Sequence, residues 1–253
     1  MKIAFLISGK PRFVQTGFKY FNQNFLSKFN NVDVFAHAWY NPETLEQQRA
    51  SVDWKGVVSA DDEKSDQLIQ QLYRPKKSII EPQINFSLPR HYEFDASHTQ
   101  SHQVHYSMFY GIKKAFELME MYEKEENIKY DLIVRSRYDF YLGAPLNIYD
   151  YNLNYYYTTN TSKFWFPFFD EVAVADVIAW GPRDLVIKSK NVFDYLDYMY
   201  TEKNVRFSQE TLLGYWLHAQ NVPIKYIHFP KIGLIRSETF ATNFFWQDGF
   251  ELS

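Results

Sequence analysis

Cysteine is absent from this sequence of 253 residues. The lack of thiols excludes a cysteine nucleophile, a cysteine-ligated zinc site and a redox-active dithiol. Glycine and proline are scarce, at 9 and 10 residues, whereas average usage of the two together is about 12%. The chain is therefore not a low-complexity sequence, and at this length a hydrophobic core needs no disulfide or structural metal to hold it.

Long blocks of one charge and long apolar runs are also missing. The chain has 27 Lys and Arg against 30 Asp and Glu, a formal net charge of -3. Without a basic block, nucleic acid and membrane surface are excluded as primary partners. The N-terminal apolar run, residues 3–8, is too short for a signal peptide or a spanning helix. We therefore expect a cytoplasmic protein with no transmembrane segment.

Aromatic residues, by contrast, are abundant and make up 19% of the chain. They cluster at residues 149–157, 164–169 and 244–246. Flat amphipathic side chains pack well on sugar rings, although such clusters are more often simply part of a core.

The first 39 residues have the pattern strand, turn, helix, strand. Residues 2–7 and 31–39 are apolar runs, and Phe18, Phe21 and Phe25 between them recur at helical spacing. A unit of this kind predicts an α/β fold with a mostly parallel central sheet and helices on both faces.

The remaining elements extend this pattern and become more mixed in the second half. Strands are predicted at 77–81, 131–135, 172–180 and, as the last strand, 224–228; helices are predicted at 97–126, 184–200 and 209–219, the last capped by Ser208. Ligands in open α/β sheets bind beyond the carboxyl ends of the strands.

Polar residues follow the first two predicted strands. Ser8, Gly9 and Arg12 end the first, where a phosphate or nucleoside can approach a backbone that carries no Cβ at Gly9. The alternative is a plain polar turn. His37 and Trp39 end the second strand and either line a base or sugar pocket or belong to the edge of the core.

Arg135, Arg137 and Asp139 alternate along another predicted strand. If the chain stays extended, all three side chains point to the same side. Arginines bind diphosphate oxygens, and a carboxylate can hold a divalent ion that bridges them. The alternative is a structural Arg–Asp ion pair at the end of the sheet.

The order of several short segments resembles nucleotide-sugar-dependent glycosyltransferases of the GT-A type, particularly small enzymes of polysaccharide and viral glycan assembly. The segments are KIAFLISGKPR, DVFAHAW, YDLIVRSRYDFYL, the WG of IAWGPRD, and QETLLGYWL followed by IHF. The resemblance covers nearly the whole chain. It implies one GT-A-like domain over 1–253, in which 1–140 bind the nucleotide sugar and 141–253 bind the acceptor.

The resemblance also implies roles for single residues. Where that family closes a strand with the acidic motif D-x-D, only Asp139 is acidic here, and it would hold Mn²⁺ or Mg²⁺ together with His228. Glu210 would be the catalytic base, Trp180 and Gly181 would face the acceptor, and Gln103 and Ser107 resemble positions that face the donor. Asp176 and Asp170 are alternative carboxylates for the base.

Three histidines share one face of the predicted helix at 97–126, namely His98, His102 and His105. No HExxH motif and no nearby acid complete a zinc site. The pattern therefore favours a solvated or ligand-facing stripe.

We expect a glycosyltransferase that moves a hexosyl or pentosyl group from a nucleotide-diphosphate donor, of UDP or GDP, to a hydroxyl of a glycan. Inversion is favoured because Glu210 is available as a base. The alternatives are a retaining enzyme of the same fold and a non-catalytic carbohydrate-binding protein. A sugar-nucleotide nucleotidyltransferase normally has a glycine-rich loop near the N-terminus, and the single Gly9 argues against it.

Overall fold

The computed structural model describes residues 1–44, 64–87, 99–159, 173–228, 231–237, 240–243 and 249–251. The strands, in chain order, are β1 (Ile3–Gly9), β2 (Val32–Trp39), β3 (Lys77–Glu81), β4 (Leu132–Ser136), β5 (Phe140–Leu142), β6 (Tyr156–Thr159), β7 (Ile178–Pro182), β8 (Ile224–Ile227), β9 (Ile232–Ser237), β10 (Phe240–Asn243) and β11 (Gly249–Glu251).

The α-helices are α1 (Val14–Asn24), α2 (Ser65–Leu68), α3 (Thr99–Glu125), α4 (Arg183–Val186), α5 (Leu196–Thr201) and α6 (Gln209–Ala219). Short 3₁₀ segments occupy Leu26–Lys28, Pro42–Thr44, Ile148–Asp150 and Ile187–Tyr195, and a π-helical turn occupies Ile69–Tyr73.

The central sheet has seven strands in the order β3-β2-β1-β4-β7-β6-β8. The neighbours from β3 to β4 are parallel, β7 is antiparallel to both β4 and β6, and β8 is parallel to β6. All strands except β7 therefore run in one direction, and helices cover both faces. The predicted fold class is confirmed. The carboxyl ends of β1 to β4 meet at one edge of the sheet.

The two faces of the sheet bury two separate cores. In β1, Ile3, Phe5 and Ile7 belong to the core that contains α1. Ala4 and Leu6 belong to the opposite core, which contains α3 and α6. Successive side chains of a strand point to opposite faces, so an unbroken apolar run is what a strand covered on both faces requires.

Phenylalanine rings fill the space between α1 and the sheet. The ring centroid of Phe5 lies 4.9 Å from that of Phe21 and 5.6 Å from that of Phe25. Gly17 brings the same helix close to the turn that follows β4, because a Cβ on Gly17 would lie 2.0 Å from the carbonyl oxygen of Tyr138. Contacts of this kind explain part of the aromatic excess and fix the approach of α1 to the site described below.

Gly17→Ala should therefore destabilise the protein. A methyl group cannot occupy the space of the Tyr138 carbonyl without a backbone shift, and overpacking of this type costs about 1–3 kcal/mol or more. Chemical denaturation measures the loss. Gln15→Ala, on the exposed side of the same helix, should change the free energy of unfolding by less than about 0.5 kcal/mol. Equal stability of the two variants would contradict the close approach.

The strand predicted at 172–180 is a correction. β7 spans Ile178–Pro182 and so includes Gly181 and Pro182, while Val172 lies outside the described residues. Residues 173–177 form a buried loop whose carbonyl groups accept hydrogen bonds from side chains. Thr158 Oγ1 donates to Ala175 O at 3.2 Å, and Ser136 Oγ donates to Val177 O at 3.0 Å. In this loop, hydrogen bonds from side chains take the place of the backbone hydrogen bonds between strands that the apolar run predicted.

Two other predicted elements also differ. The helix expected at 184–200 is broken into α4, a 3₁₀ segment and α5. The strand at 224–228 is not the last, since β9, β10 and β11 follow it and form a second, four-stranded sheet with β5. The strand at 77–81 and the helix at 209–219 are found with the predicted bounds, and Ser208 Oγ accepts a hydrogen bond from Thr211 N as the cap.

The second sheet is joined to the first through the segment that leaves β4. β5 pairs with β9 in antiparallel fashion, and Ile235 N donates to Asp139 O at 2.8 Å. This pairing brings β9 next to the carboxyl end of β4. Within the described part of the chain, the helices are too short or too polar to cross a membrane.

Candidate active site

A cavity of about 330 Å³ opens at the carboxyl ends of β1 to β4, the edge where open α/β sheets bind ligands. Its walls come from the ends of these four strands, from one side of α3, from the loop before β7 and from the start of α6. The lining residues named in the sequence analysis are Ser8, Gly9, Arg12, Trp39, Gln103, Ser107, Arg135, Arg137 and Asp176. Both halves of the chain therefore contribute to one cavity.

The turn after β1 forms a basic wall of this cavity. Gly9 has φ +120°, and no atom lies within 4 Å of a Cβ built on it, so the backbone is open to the cavity. Lys10 and Arg12 follow in a tight turn in which Arg12 N donates to Lys10 O at 2.9 Å. The Nε of Arg12 is buried and has no hydrogen-bond partner in the described part of the chain, although the guanidinium interacts electrostatically with Asp139.

Arg135 is buried, with 4% of its surface exposed. Its Nη1 donates to the carbonyl oxygen of Asp176 at 2.9 Å, and its Nη2 donates to the hydroxyl oxygen of Tyr156 at 3.1 Å. Its Nε has no hydrogen-bond partner among the residues that the structure describes. Arg135 therefore holds the loop before β7 against the cavity and keeps one donor unused.

Arg137 and Asp139 form a bidentate ion pair. Arg137 Nε and Nη2 donate to the two carboxylate oxygens of Asp139 at 2.8 and 2.9 Å. Asp139 is 1% exposed, and Arg236 Nη1 from β9 lies 3.8 Å from its Oδ2. Burial would raise the pKa of Asp139, but Arg137, Arg12 and Arg236 outweigh burial and hold the pKa below its ordinary value.

The alternating arrangement predicted for Arg135, Arg137 and Asp139 is wrong because β4 ends at Ser136. The chain then turns, and Asp139 points into the protein among guanidiniums. Arg135 and Arg137 still line the cavity, whereas Asp139 does not. The arrangement corresponds to the alternative, an Arg–Asp ion pair at the end of the sheet.

The implied Mn²⁺ or Mg²⁺ stays a prediction, and the residues around Asp139 do not fit such an ion. Divalent cations need carboxylate oxygens that are free to coordinate, but both oxygens of Asp139 accept hydrogen bonds from Arg137. His228 lies exposed just after β8, which is the far edge of the sheet. Among the described residues, no three His, Asp or Glu side chains form a group that could hold a metal ion.

Two carboxylates, Asp176 and Glu210, lie where the loop before β7 meets the start of α6. Val174 N donates to Glu210 O at 3.0 Å and ties the two segments together. Asp176 lines the cavity, and its Oδ2 lies 3.8 Å from Arg137 Nη1. Burial, and then the charge of Asp176, raise the pKa of Glu210 to about 7. Glu210 stands beside Asp176 rather than in the cavity wall, where its neighbour Gln209 lies.

His37 supports the cavity from beneath. Its side chain is fully buried, and its Nε2 lies 3.1 Å from Glu81 Oε1. Burial lowers the pKa of His37 to about 4. The imidazole packs edge-on against Trp39, which lines the cavity, at a centroid distance of 4.7 Å. His37 therefore does not line the cavity as predicted. It packs against Trp39, which does.

Gln103 lines the cavity but its amide is already engaged. Its Oε1 accepts from Phe86 N at 3.0 Å, and its Nε2 donates to Phe86 O. The segment after β3 is thereby fixed to α3, and it contributes Gln83 and Asn85 to the cavity wall. Gln103 is a positioning residue for this wall.

Trp180 and Gly181 are not brought to the cavity. β7 is antiparallel to both of its neighbours. Trp180 therefore pairs with Val134 in the middle of β4, and Gly181 pairs with Ile133. Trp180 is 2% exposed and stacks on Tyr157. A Cβ on Gly181 would lie 2.5 Å from Tyr155 O, which is a structural reason for glycine. The expected contact with an acceptor is therefore not supported.

The histidine stripe on α3 is buried rather than solvated. The rings of His102 and His105 pack against Phe207 at centroid distances of 4.6 and 5.0 Å. His98 lies outside the described residues, as do Asp170 and the aromatic clusters 164–169 and 244–246. In the third cluster, Tyr151 and Tyr157 pack against Trp180 inside the protein.

Sequence reasoning missed three kinds of residue at this site. Lys10 lies between Gly9 and Arg12, two predicted site residues, and its positive charge is a sequence feature that favours phosphate binding. Gln83 and Asn85 follow a short edge strand and carry no periodic signal. Arg236 lies on a strand that the sequence did not predict, so nothing linked it to Asp139.

No family model matches the chain, and no curated protein sequence matches it. Among solved structures, the chain is similar to a glycosyltransferase involved in the glycosylation of the major capsid of PBCV-1. The identity is 11%, the match covers 91% of this chain and 83% of that chain, and the TM-score is 0.38.

The chain is also similar to the glycosyltransferase GlyE of Streptococcus pneumoniae TIGR4. The apo form matches with 10% identity over 88% of this chain and 44% of that chain, at a TM-score of 0.38. A second GlyE structure matches with 10% identity over 90% of this chain and 45% of that chain, at a TM-score of 0.40. The chain thus spans less than half the length of the GlyE chains. These likenesses concern the fold.

Proposed function

We propose that this protein is a glycosyltransferase that moves a sugar from a nucleotide-diphosphate donor to a hydroxyl of a glycan acceptor. One observation carries the proposal. The described walls of a cavity at the carboxyl ends of parallel strands carry four cationic side chains, Lys10, Arg12, Arg135 and Arg137, and one carboxylate, Asp176, next to Glu210.

The basic and the acidic residues of this cavity suit the two halves of a transfer reaction. Guanidinium groups bind phosphate oxygens in bidentate fashion and stabilise a leaving diphosphate as its negative charge develops. A carboxylate whose pKa is near the working pH is suited to take a proton. Burial and Asp176 raise the pKa of Glu210 to about 7.

In the proposed step, the acceptor oxygen forms a bond to the anomeric carbon while the bond from that carbon to the diphosphate oxygen breaks. The electron pair of the broken bond stays on the diphosphate, beside the arginines. The acceptor proton goes to the Glu210 carboxylate. Attack from the face opposite the leaving group gives inversion. UDP and GDP sugars are the donors to test first, and a role in polysaccharide assembly follows from the resemblance in sequence.

A thermal-shift screen of nucleotide sugars tests the proposal. A ligand at about 100 times its dissociation constant should stabilise the folded protein by about 2.7 kcal/mol. We expect stabilisation by UDP or GDP and by one of their sugars, and little by free monosaccharides. Release of the nucleotide diphosphate from the active donor should then increase when glycan acceptors are added. Stabilisation by glycans alone, with no nucleotide effect, would instead favour a carbohydrate-binding protein.

A further inference from the structure

Among the described residues that line the cavity, basic side chains outnumber carboxylates. Lys10, Arg12, Arg135 and Arg137 line it, and Asp176 is the one acidic residue among the described lining residues. Behind this wall, Asp139 interacts with Arg12, Arg137 and Arg236. A cavity wall with four basic side chains favours the approach of an anion.

Two of these arginines have a donor group from which no atom of the described residues accepts a hydrogen bond. The Nε atoms of Arg12 and Arg135 are buried without a hydrogen-bond partner. A buried polar atom left unpaired costs about 1–3 kcal/mol, and such orphans in a cavity wall are typical of sites that a ligand completes. Both side chains line the cavity.

The one acid of the implied metal motif is not free to hold a metal ion. Asp139, the only acid in the motif RYDFY, is occupied on both oxygens by Arg137 at 2.8 and 2.9 Å. Asp176, which lines the cavity, lies 3.8 Å from Arg137, and its negative charge acts on the neighbouring Glu210. The sequence resemblance implies a metal ion at Asp139, whereas in the folded protein Asp139 is paired with Arg137.

We infer that the cavity binds the diphosphate of a nucleotide without a divalent metal ion, because arginine side chains supply the positive charge. The inference rests on the proposed function and names the groups that hold its leaving diphosphate. Asp139 is then a positioning residue, which keeps Arg137 in one orientation and is itself shielded from the ligand. Arg12, Arg135 and Arg137 are the binding residues.

Isothermal titration of the full chain with UDP, GDP and inorganic pyrophosphate tests this inference. Each ligand is titrated once in excess EDTA and once in excess MnCl₂. We expect at least one of the three to bind in EDTA, with a dissociation constant within about tenfold, or 1.4 kcal/mol, of the value in MnCl₂. The nucleoside without phosphates should bind much more weakly. Binding that requires Mn²⁺, or that Mn²⁺ tightens by more than tenfold, would overturn the inference.

Substitutions identify the groups responsible. Arg137→Lys keeps the charge but loses the planar fork, and we expect it to weaken diphosphate binding in EDTA by about tenfold or more. Arg183→Lys is the matched control, since Arg183 makes the same bidentate pair with Glu123, at 2.8 and 2.7 Å, and does not line the cavity. Its affinity should equal that of the wild type. If Arg137→Lys does not fold, Arg12→Gln tests the same wall.

Failure of this inference and failure of the proposed function give different results. Sugar transfer that occurs with Mn²⁺ and stops in EDTA would leave the transferase intact and refute the arginine site. Diphosphate binding in EDTA without transfer to or hydrolysis of any nucleotide sugar would support the arginine site and refute the transferase. Unchanged affinity in both Arg137→Lys and Arg12→Gln would also refute the arginine site.

Discussion

Glu210→Gln should lower the rate of sugar transfer by about 10²–10⁴-fold, the usual contribution of a general base. Glutamine keeps the shape of the side chain and the start of α6, where Ser208 caps the helix, but it cannot take the acceptor proton. Affinity for UDP or GDP should stay near that of the wild type. Steady-state rates with the donor found in the screen, together with calorimetry, measure both quantities.

The pH profile separates a catalytic role from a structural one. Because burial and Asp176 raise the pKa of Glu210 to about 7, wild-type transfer should fall as the pH drops through that value and the base becomes protonated. Asp176→Asn removes the neighbouring negative charge, so the acid limb of its profile should move to lower pH. A residue that only complements the helix N-terminus would show neither effect.

Stability supplies an independent check on the same carboxylate. A raised pKa in the folded state means that the wild type loses stability relative to Glu210→Gln as the pH rises from the ordinary value of 4.5 to about 7. Thermal denaturation across this interval should therefore favour the variant increasingly. If folded Glu210→Gln transfers sugar at a near-normal rate and Asp176→Asn loses most of its rate, Asp176 is the base instead of Glu210.

Asp139→Asn should cost about 3–5 kcal/mol of unfolding free energy, the range for breaking a buried ion pair by removing one partner. Asp139 is 1% exposed and lies among Arg12, Arg137 and Arg236. An amide removes the buried negative charge around which these three cations are arranged. Urea denaturation near neutral pH measures the loss.

Asp184→Asn is the control for Asp139→Asn. Asp184 is 75% exposed and forms an ion pair with Lys129 at 3.2 Å, and exposed pairs contribute about 0–1 kcal/mol. The two variants should also differ in acid. The pKa of Asp139 is held below 3.8, so its contribution is complete above that value and disappears as the pH falls through the lower, folded pKa. A loss as small as that of Asp184→Asn would show that water reaches the Asp139 pair.

Much of the fold follows from local pattern. The apolar runs of β1 and β2 and the helical spacing in α1 predicted a mostly parallel sheet covered on both faces, because a strand buried on two sides has no polar alternation. The cap at Ser208 and the bounds of α6 were also predictable, since helix N-termini have a distinct chemistry. The rule that ligands in open α/β sheets bind beyond the carboxyl ends of the strands predicted the sheet edge at which the cavity lies.

The side chains of the candidate site were harder to predict because their orientation depends on distant residues. Arg135, Arg137 and Asp139 alternate in sequence, but β4 ends at Ser136 because the next residues turn toward β5 and the second sheet. Trp180 lies in the middle of the sheet because β7 runs opposite to β4, and strand direction has no local signal.

The charge around Asp139 was decided by tertiary structure alone. Arg12 comes from the turn after β1 and Arg236 from β9, at opposite ends of the chain, and only the pairing of β5 with β9 brings them to one carboxylate. A sequence motif records that an acid is present, and it does not record whether its oxygens are free. Burial among guanidiniums is what converts the acid of the expected metal motif into the centre of an arginine cluster.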